Sequence, residues 1–358
     1  MLWFVGTGIN GYRGLSIGAL DVLRKCDIVY IERFTGALTD IDLEGLNSLL
    51  ETHTKPVQRW FVEDGRDLLE AARTKDVALV TYGDPLIATT HSELRSRAAK
   101  NSIKTAVLHS ASGIASTIGE TGLHVYKFGR MVTMMSDLHS AVTVYNTIFQ
   151  NLIAGSHTLI LTEYNHNDEN KEPFFFLDPS SVFKMLLDAE RVHKHEIFSD
   201  DTFAVVASRV GMQDQKITSG KVKSLLKVEF GIGPHSVIIT GALHFTETQA
   251  LASVTENIDE PSDNSQSANK TEARMVKRYA PKAKQAVQEL RKLISYGTDD
   301  NNKGTFEVLE NAECYLADAE RFLEQGKFEL AVLSVGYAEG LIDALRYQKG
   351  INPWSSGA

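Results

Sequence analysis

Cysteine is scarce: Cys26 and Cys314 are the only two in 358 residues. They lie too far apart for a disulfide framework and lack the paired spacing that holds zinc. Cys26 follows an amphipathic helical pattern and is expected to be a buried free thiol. No apolar run reaches the ~18 residues that a membrane span needs. A basic, then apolar, leader with a cleavage site is lacking too, since Met1-Leu2-Trp3-Phe4-Val5 goes straight into a strand pattern. A soluble, cytoplasmic protein is therefore expected, with no membrane partner. The chain has no basic excess. Its formal net charge of −9 argues against a protein that coats nucleic acid, although a local basic patch stays open. Ser110, Ser112 and Ser116 stand near His109, but no Gly-x-Ser-x-Gly elbow is present. His193, His195 and Glu196 find no further Cys or His at ligand spacing, so no metal is expected. No internal repeat is evident.

What is present is enough for a sizeable core: 43% of residues are apolar and 23% charged. The length suggests two or three domains. The first part alternates strand and helix. Strands are expected at 2–5, 28–31, 77–80 and 106–109. Helices are expected over 15–25, 43–50, 67–72 and 92–100, with another opening after 110–116. That alternation predicts a largely parallel sheet. The run 77–93 is central. An apolar strand ends at Gly83-Asp84-Pro85, and Thr90-x-x-Glu93 has the spacing of a capping box. From Lys127 the texture changes: 128–133 is expected as a strand leaving the first domain, followed by a second α/β domain with a mixed sheet. Residues 255–273 are polar and predict a flexible linker. Beyond them the period is helical. Val276, Ala280, Ala283, Val287, Leu290 and Ile294 mark one helix, with Pro281 at its first turn or a kink. Phe306, Leu309, Leu316 and Leu323 mark a second, and Leu330, Leu333, Tyr337, Leu341 and Leu345 a third. The expected domains are 1–130, 131–254 and a helical bundle over 274–350.

Two constellations compete for a cofactor. Gly6-x-Gly8-x-x-Gly11 after a strand, with Glu32 after the next, has the pattern of a dinucleotide site. Against it, the helix starts only near Leu15, so the glycines do not face a helix N-terminus. The alternative combines Gly83-Asp84-Pro85 with the glycine turn at 6–8 and the small-residue turn at 110–116. Three strand ends short of side-chain bulk would line one slot for a flat adenosine. His166 and Asp168 stand in a polar loop where a substrate or only solvent would meet them. Arg274, Lys277, Arg278, Lys282, Lys284, Arg291 and Lys292 crowd one tail helix. A solvated face is the default there, with an RNA or ribosome contact as the rival.

Three stretches together resemble one family. They are Gly6-Thr7-Gly8-Ile9, the run from Tyr82 through Gly83-Asp84-Pro85 to Ala88-Thr89-Thr90-His91, and Thr121-Gly122-Leu123-His124-Val125-Tyr126-Lys127-Phe128-Gly129. The chain is similar, over about residues 1–252, to the archaeal diphthine synthase family of tetrapyrrole methylase-like methyltransferases. That resemblance implies two α/β domains of tetrapyrrole methylase type with a cleft between them, a homodimer, and S-adenosylmethionine as cofactor. It implies methylation of the amino group of a modified histidine on translation elongation factor 2, with S-adenosylhomocysteine as product. Carried over by position, the cofactor contacts are Ile9, Asp84, Ile87, Ser112, Gly113, Thr162, Val210 and His244. Thr7, Gly113 and Thr162 depart from the family's usual residues. The tail resembles a small, uncharacterised archaeal helical family.

Methyl transfer needs alignment and desolvation more than a nucleophilic side chain. A base for the substrate amine is therefore left unassigned. His91, Glu93, His124 and Tyr126 are candidates by position only. The rival readings are a sister methylase acting on a tetrapyrrole or RNA, a NAD-dependent oxidoreductase using Gly6, Gly8 and Gly11, and an adaptor that docks through its tail.

Overall fold

The computed structural model describes residues 1–34, 36, 38–51, 54–165, 175–295 and 303–355. Two compact units divide the chain, Met1–Asn264 and Ser265–Ala358.

The first unit holds two sheets. Strands β1 (Leu2–Gly6), β2 (Ile28–Glu32), β3 (Lys55–Val57), β4 (Val77–Thr81) and β5 (Thr105–Leu108) form an all-parallel sheet in the order β3-β2-β4-β1-β5. Every residue of β4 is buried, as a parallel strand covered on both faces requires. Alternation sorts the side chains into two cores. Phe4 and Leu79 pack with Leu68 and Leu94 of helices α4 (Arg66–Thr74) and α5 (His91–Lys100). Val5 and Val80 pack with Leu23 and Leu46 of α1 (Ile17–Leu23) and α2 (Asp40–Leu50). The short α3 (Arg59–Asp64) follows β3 directly. Because β1, β4 and β5 run parallel, the turns after Gly6, Thr81 and Leu108 leave from one edge.

The second sheet is mixed. It contains β6 (Val132–Met134), β7 (Thr158–Thr162), β10 (Phe203–Ser208), β11 (Lys216–Lys221), β12 (His235–Ile239) and β13 (Glu256–Asn257). Their order is β13-β11-β10-β12-β7-β6. A separate pair, β8 (Tyr164–Asn165) with β9 (Phe175–Phe176), is antiparallel. Helices α6 (Gly113–Thr121), α7 (Leu138–Ile153), α8 (Pro179–His193), α9 (Val222–Leu225) and α10 (Phe245–Val254) complete this unit.

Four expectations need correction here. The strand expected over 128–133 is shorter, with a 3-10 turn at Val125–Lys127 and β6 starting only at Val132. Gly129 lies against the Asn151 amide, where a Cβ would come within 2.2 Å of Oδ1. The capping box at Thr90 is not formed. Thr90 has ψ near 0° and its side chain caps nothing, while Glu93 pairs with Arg97 at 2.9 Å. The segment expected as a linker over 255–273 is ordered by hydrogen bonds rather than by burial. β13 pairs with β11, and Asp259 accepts from the Lys221 amide at 2.9 Å. Asn264 is buried; it accepts from Phe203 N at 2.9 Å and donates to the carbonyls of Phe203 and Thr240 at 2.7 and 2.9 Å. Polar composition concealed these contacts. Helix starts immediately afterwards, at Ser265.

The second unit contains α11 (Ser265–Ser295), α12 (Lys303–Glu324) and α13 (Phe328–Lys349). Pro281 lies well inside α11, not at its first turn. The buried face of α13 is the fourth correction. Ala331, Val335, Ala338, Ile342 and Leu345 pack on Ala283, Val287 and Leu290 of α11 and on Leu309 and Leu316 of α12. Leu330, Leu333 and Tyr337 are exposed. Alanine lets the helices approach, and an apolar count that favours leucine selects the wrong face. The basic residues of α11 are partly spent on neighbours: Lys284 pairs with Glu320 at 2.5 Å and Arg291 with Glu313 at 2.8 Å.

Candidate active site

A cavity of about 480 Å³ opens at the carboxyl edge of the parallel sheet and is closed by the mixed sheet. Its floor begins with two glycine turns bonded to each other. Gly8 N–H donates to the Gly83 carbonyl at 3.1 Å, and Gly83 N–H donates to the Gly8 carbonyl at 2.9 Å. Both have φ near +70°, a conformation that suits glycine. A Cβ on Gly6 would lie 2.4 Å from the Gly83 carbonyl oxygen. The Thr7 side chain is buried, and its hydroxyl donates to the Gly8 carbonyl at 3.0 Å. The departure from the family pattern at Thr7 is therefore absorbed by the core.

Asp84 joins the third turn to this pair. Its Oδ1 accepts from Leu86 N at 2.9 Å. Its Oδ2 accepts from Ser110 N at 3.3 Å and lies 2.8 Å from His109 Nδ1. Ser112 caps α6 by accepting from Ile114 N at 3.3 Å. A Cβ on Gly113 would meet nothing within 4 Å, so the missing side chain adds open volume at a helix start. Ile9 leaves the first turn toward the mixed sheet. Its carbonyl accepts from the Tyr82 hydroxyl at 3.0 Å, and it packs so closely on Gly211 that a Cβ there would fall 2.4 Å from Ile9 Cγ1. Burial pushes the Tyr82 phenol well above its ordinary value.

The opposite wall comes from β7, β10 and β12 and the residues just beyond them. Thr162 donates to the His235 carbonyl at 2.8 Å. Glu163 accepts from both the amide and the hydroxyl of Ser136 at 2.9 Å. The His235 ring contacts Ser208 Oγ at 2.9 Å. Burial lowers its affinity for a proton, against smaller opposing effects of the Gly231 backbone and Asp178.

Seven residues expected at the cofactor line this cavity: Ile9, Asp84, Ile87, Ser112, Gly113, Thr162 and Val210. His244 does not. It is exposed, and its Nδ1 accepts from Thr246 N at 3.4 Å as the cap of α10. None of the four positional base candidates, His91, Glu93, His124 and Tyr126, lines the cavity. His91 is buried beneath it, with Nδ1 2.9 Å from the Pro85 carbonyl, so that nitrogen carries the proton, and Nε2 3.3 Å from Glu32. His124 Nε2 lies 3.1 Å from Thr246 Oγ1, and Tyr126 is 97% exposed. His166 and Asp168 lie outside the described residues. His193 and His195 stack with Tyr145. Cys26 is a half-buried free thiol, pushed up to about 11 by burial.

The dinucleotide pattern is not realised. Gly11 opens a 3-10 turn, α1 begins only at Ile17, and Glu32 is buried beside His91 rather than facing a ligand.

Elsewhere in the first unit, Glu247 ties three segments. Its carboxylate accepts from Lys127 Nζ at 2.5 Å, from the amides of His124 and His244 at 2.8 Å, and contacts His157 Nε2 at 3.0 Å. Burial alone would raise this carboxyl; the four donors outweigh it and hold it at about 2. Lys127 also donates to the Ala242 carbonyl.

Sequence reasoning missed Phe34, Arg59, Tyr82, Met135, Glu163 and His235, all of which line the cavity. Tyr82 and Glu163 adjoin residues that were singled out, and strand alternation at those ends offered a signal. Arg59 offered none.

Residues 1–226 match the tetrapyrrole (corrin/porphyrin) methylases, and the chain belongs to that family. Its relatives narrow the position further. A diphthine synthase of Methanocaldococcus jannaschii is 35% identical over 261 residues, covering 72% of this chain and all of the relative. A diphthine synthase of Methanothermobacter thermautotrophicus is 33% identical over 256 residues, 71% of this chain and 95% of the relative. A crystal structure of a diphthine synthase is similar with a TM-score of 0.62 at 27% identity, covering 72% of this chain and 96% of that one. Within the methylases, this chain groups with the diphthine synthases. Residues 278–351 match a separate family, described as a protein of unknown function.

Proposed function

We propose that the first unit is an S-adenosylmethionine-dependent methyltransferase that methylates the amino group of the modified histidine on elongation factor 2. The observation that carries this reading is the cavity floor. Two glycine turns bonded face to face, with open space at Gly113, make a flat, backbone-lined seat. The cavity volume falls within the about 300–1,000 Å³ common for small-molecule sites. Ile9, Ile87, Ser112, Gly113 and Val210 would hold the adenosine and amino-acid parts of the cofactor, while Asp84 fixes the turns that shape the seat.

The cofactor supplies a methyl group on a sulfonium centre, whose departure leaves a neutral thioether. The chain's own residues then have three tasks. They hold the acceptor amine in line, exclude water, and leave the amine unprotonated. The apolar wall of Phe34, Ile87, Met135 and Leu161 serves the second and third. Nothing in this wall needs to act as a nucleophile.

The same reading assigns the cofactor seat to residues 1–130 and its cover to 131–254, and places the bundle of 274–350 outside the chemistry. It includes the homodimer expected from the family and the cytoplasmic location expected from the sequence; no described helix is long and apolar enough to cross a membrane. The test is transfer of labelled methyl from S-adenosylmethionine to purified elongation factor 2 bearing the aminocarboxypropyl histidine. Labelling of that histidine supports the function. No labelling, or labelling of a tetrapyrrole or RNA instead, overturns it.

A further inference from the structure

We infer that Arg59 is the residue that recognises the acceptor, by pairing with the carboxylate of its amino-acid end. The inference rests on the function proposed above. An acceptor that carries an amine and a carboxylate on the same small group brings a negative charge into the cavity along with the reacting nitrogen. Left without a partner there, that charge would oppose binding. Among the described residues of the wall, Arg59 is the only arginine or lysine. Its guanidinium lies over the Phe34 ring, 4.9 Å from the centroid. Among the described residues its ion pair is with Glu63, one helical turn on, at 3.5 Å, a separation that leaves the planar fork room for a bidentate partner. Arg59 lines the cavity, and its side chain is 48% exposed, so pairing there carries no large desolvation cost.

Both the cofactor and the acceptor carry an α-amino acid end, so either carboxylate has the required chemistry. Sheet order separates them. The turns assigned to the cofactor follow β4, β1 and β5, which are neighbours. Phe34 follows β2 and Arg59 follows β3, on the other half of the same edge. Arg59 therefore belongs to the part of the cavity where the cofactor turns are absent. The bond it makes is a charge-assisted hydrogen-bonded pair, and no covalent step involves it. Arg59 thus acts on specificity and positioning, and the transfer step itself is left to the aligned amine.

Arg59→Met and Arg59→Lys, made in the full chain, test this with two readouts. Arg59 begins a short helix at the surface, so thermal melts of both variants are expected to match the unaltered chain. Arg59→Met is expected to raise KM for elongation factor 2 bearing the modified histidine about 10- to 100-fold. Saturating kcat should change much less, and S-adenosylhomocysteine affinity by calorimetry should stay within about twofold. Arg59→Lys should recover part of the KM loss by supplying the charge without the fork. Equal KM in Arg59→Met and the unaltered chain overturns the inference. Loss of S-adenosylhomocysteine affinity parallel to the KM change also overturns it, because the cofactor's carboxylate is then the partner. Failure of the unaltered chain to transfer any label overturns the function itself, and the inference with it.

Discussion

Replacing Glu247 by glutamine should cost the first unit about 2–4 kcal/mol at pH 7, the range expected when one member of a buried ion pair is removed and discounted for the partly exposed Lys127. The structure gives the magnitude by a second route. The Glu247 carboxyl is held at about 2, against an ordinary value of 4.5. A difference of that size corresponds to about 3 kcal/mol of preference for the charged form. Its folded value is depressed, so this stabilisation is complete above the unfolded value and is lost as pH falls from about 4.5 toward about 2. His157 adds a second acid-sensitive window. Burial lowers its proton affinity below the ordinary 6.5. The unfolded state thus binds more protons just below 6.5, and stability falls as pH drops through that region. Urea unfolding, read by hydrogen exchange in β7 and α10, reports on this unit without the tail. Glu247→Gln should lower the midpoint at pH 7, and the gap to the unaltered chain should narrow below pH ~4. A pH 7 difference under about 0.5 kcal/mol, the range of an ordinary surface change, would refute the reasoning. So would a gap that is the same at pH ~3 as at pH 7.

Gly83→Ala should cost at least about 1 kcal/mol, since φ is +72° there; calorimetry should also show weaker S-adenosylhomocysteine binding, because the bonds to Gly8 hold the floor. Gly113→Leu should melt like the unaltered chain, having open space around it, yet bind S-adenosylhomocysteine at least about tenfold more weakly because the side chain fills the seat. His91→Ala should lower stability by about 2–3 kcal/mol through loss of its buried contacts to Pro85 and Glu32, measured by urea titration. Chains ending at residue 264 should retain methyl transfer. Chains ending at 254 should melt lower because they lose Asn264 and its bonds to Phe203 and Thr240.

The main layout of the first unit was legible because strands such as β4 are continuous apolar runs and the turns after them carry glycine. The floor residues Ile9, Asp84, Ser112 and Gly113 were reached from short motifs and family resemblance. Arg59 was not, because it follows β3, outside every quoted motif, and only sheet order brings it to the same edge. His244, carried over by position from the family resemblance, stands outside the cavity because its ring caps α10. The polar segment before Asn264 was misread because composition reports burial and is silent about side chains that satisfy a sheet's backbone. In α13, Ala331, Val335, Ala338, Ile342 and Leu345 form the contact face while Leu330, Leu333 and Tyr337 are exposed, a rotation that a count of leucines does not detect.

The paired turns at Gly8 and Gly83 have a consequence for how such a site changes over time. Their mutual bonds involve only main-chain atoms, so the pairing itself asks nothing of the side chains around it beyond Asp84, which ties it to the third turn. Thr7 illustrates this: it is buried between the two glycines and does not line the cavity. Variation is therefore admissible on the surrounding walls while the floor keeps its shape. Acceptor preference can diverge among relatives without rebuilding the place where the methyl donor rests.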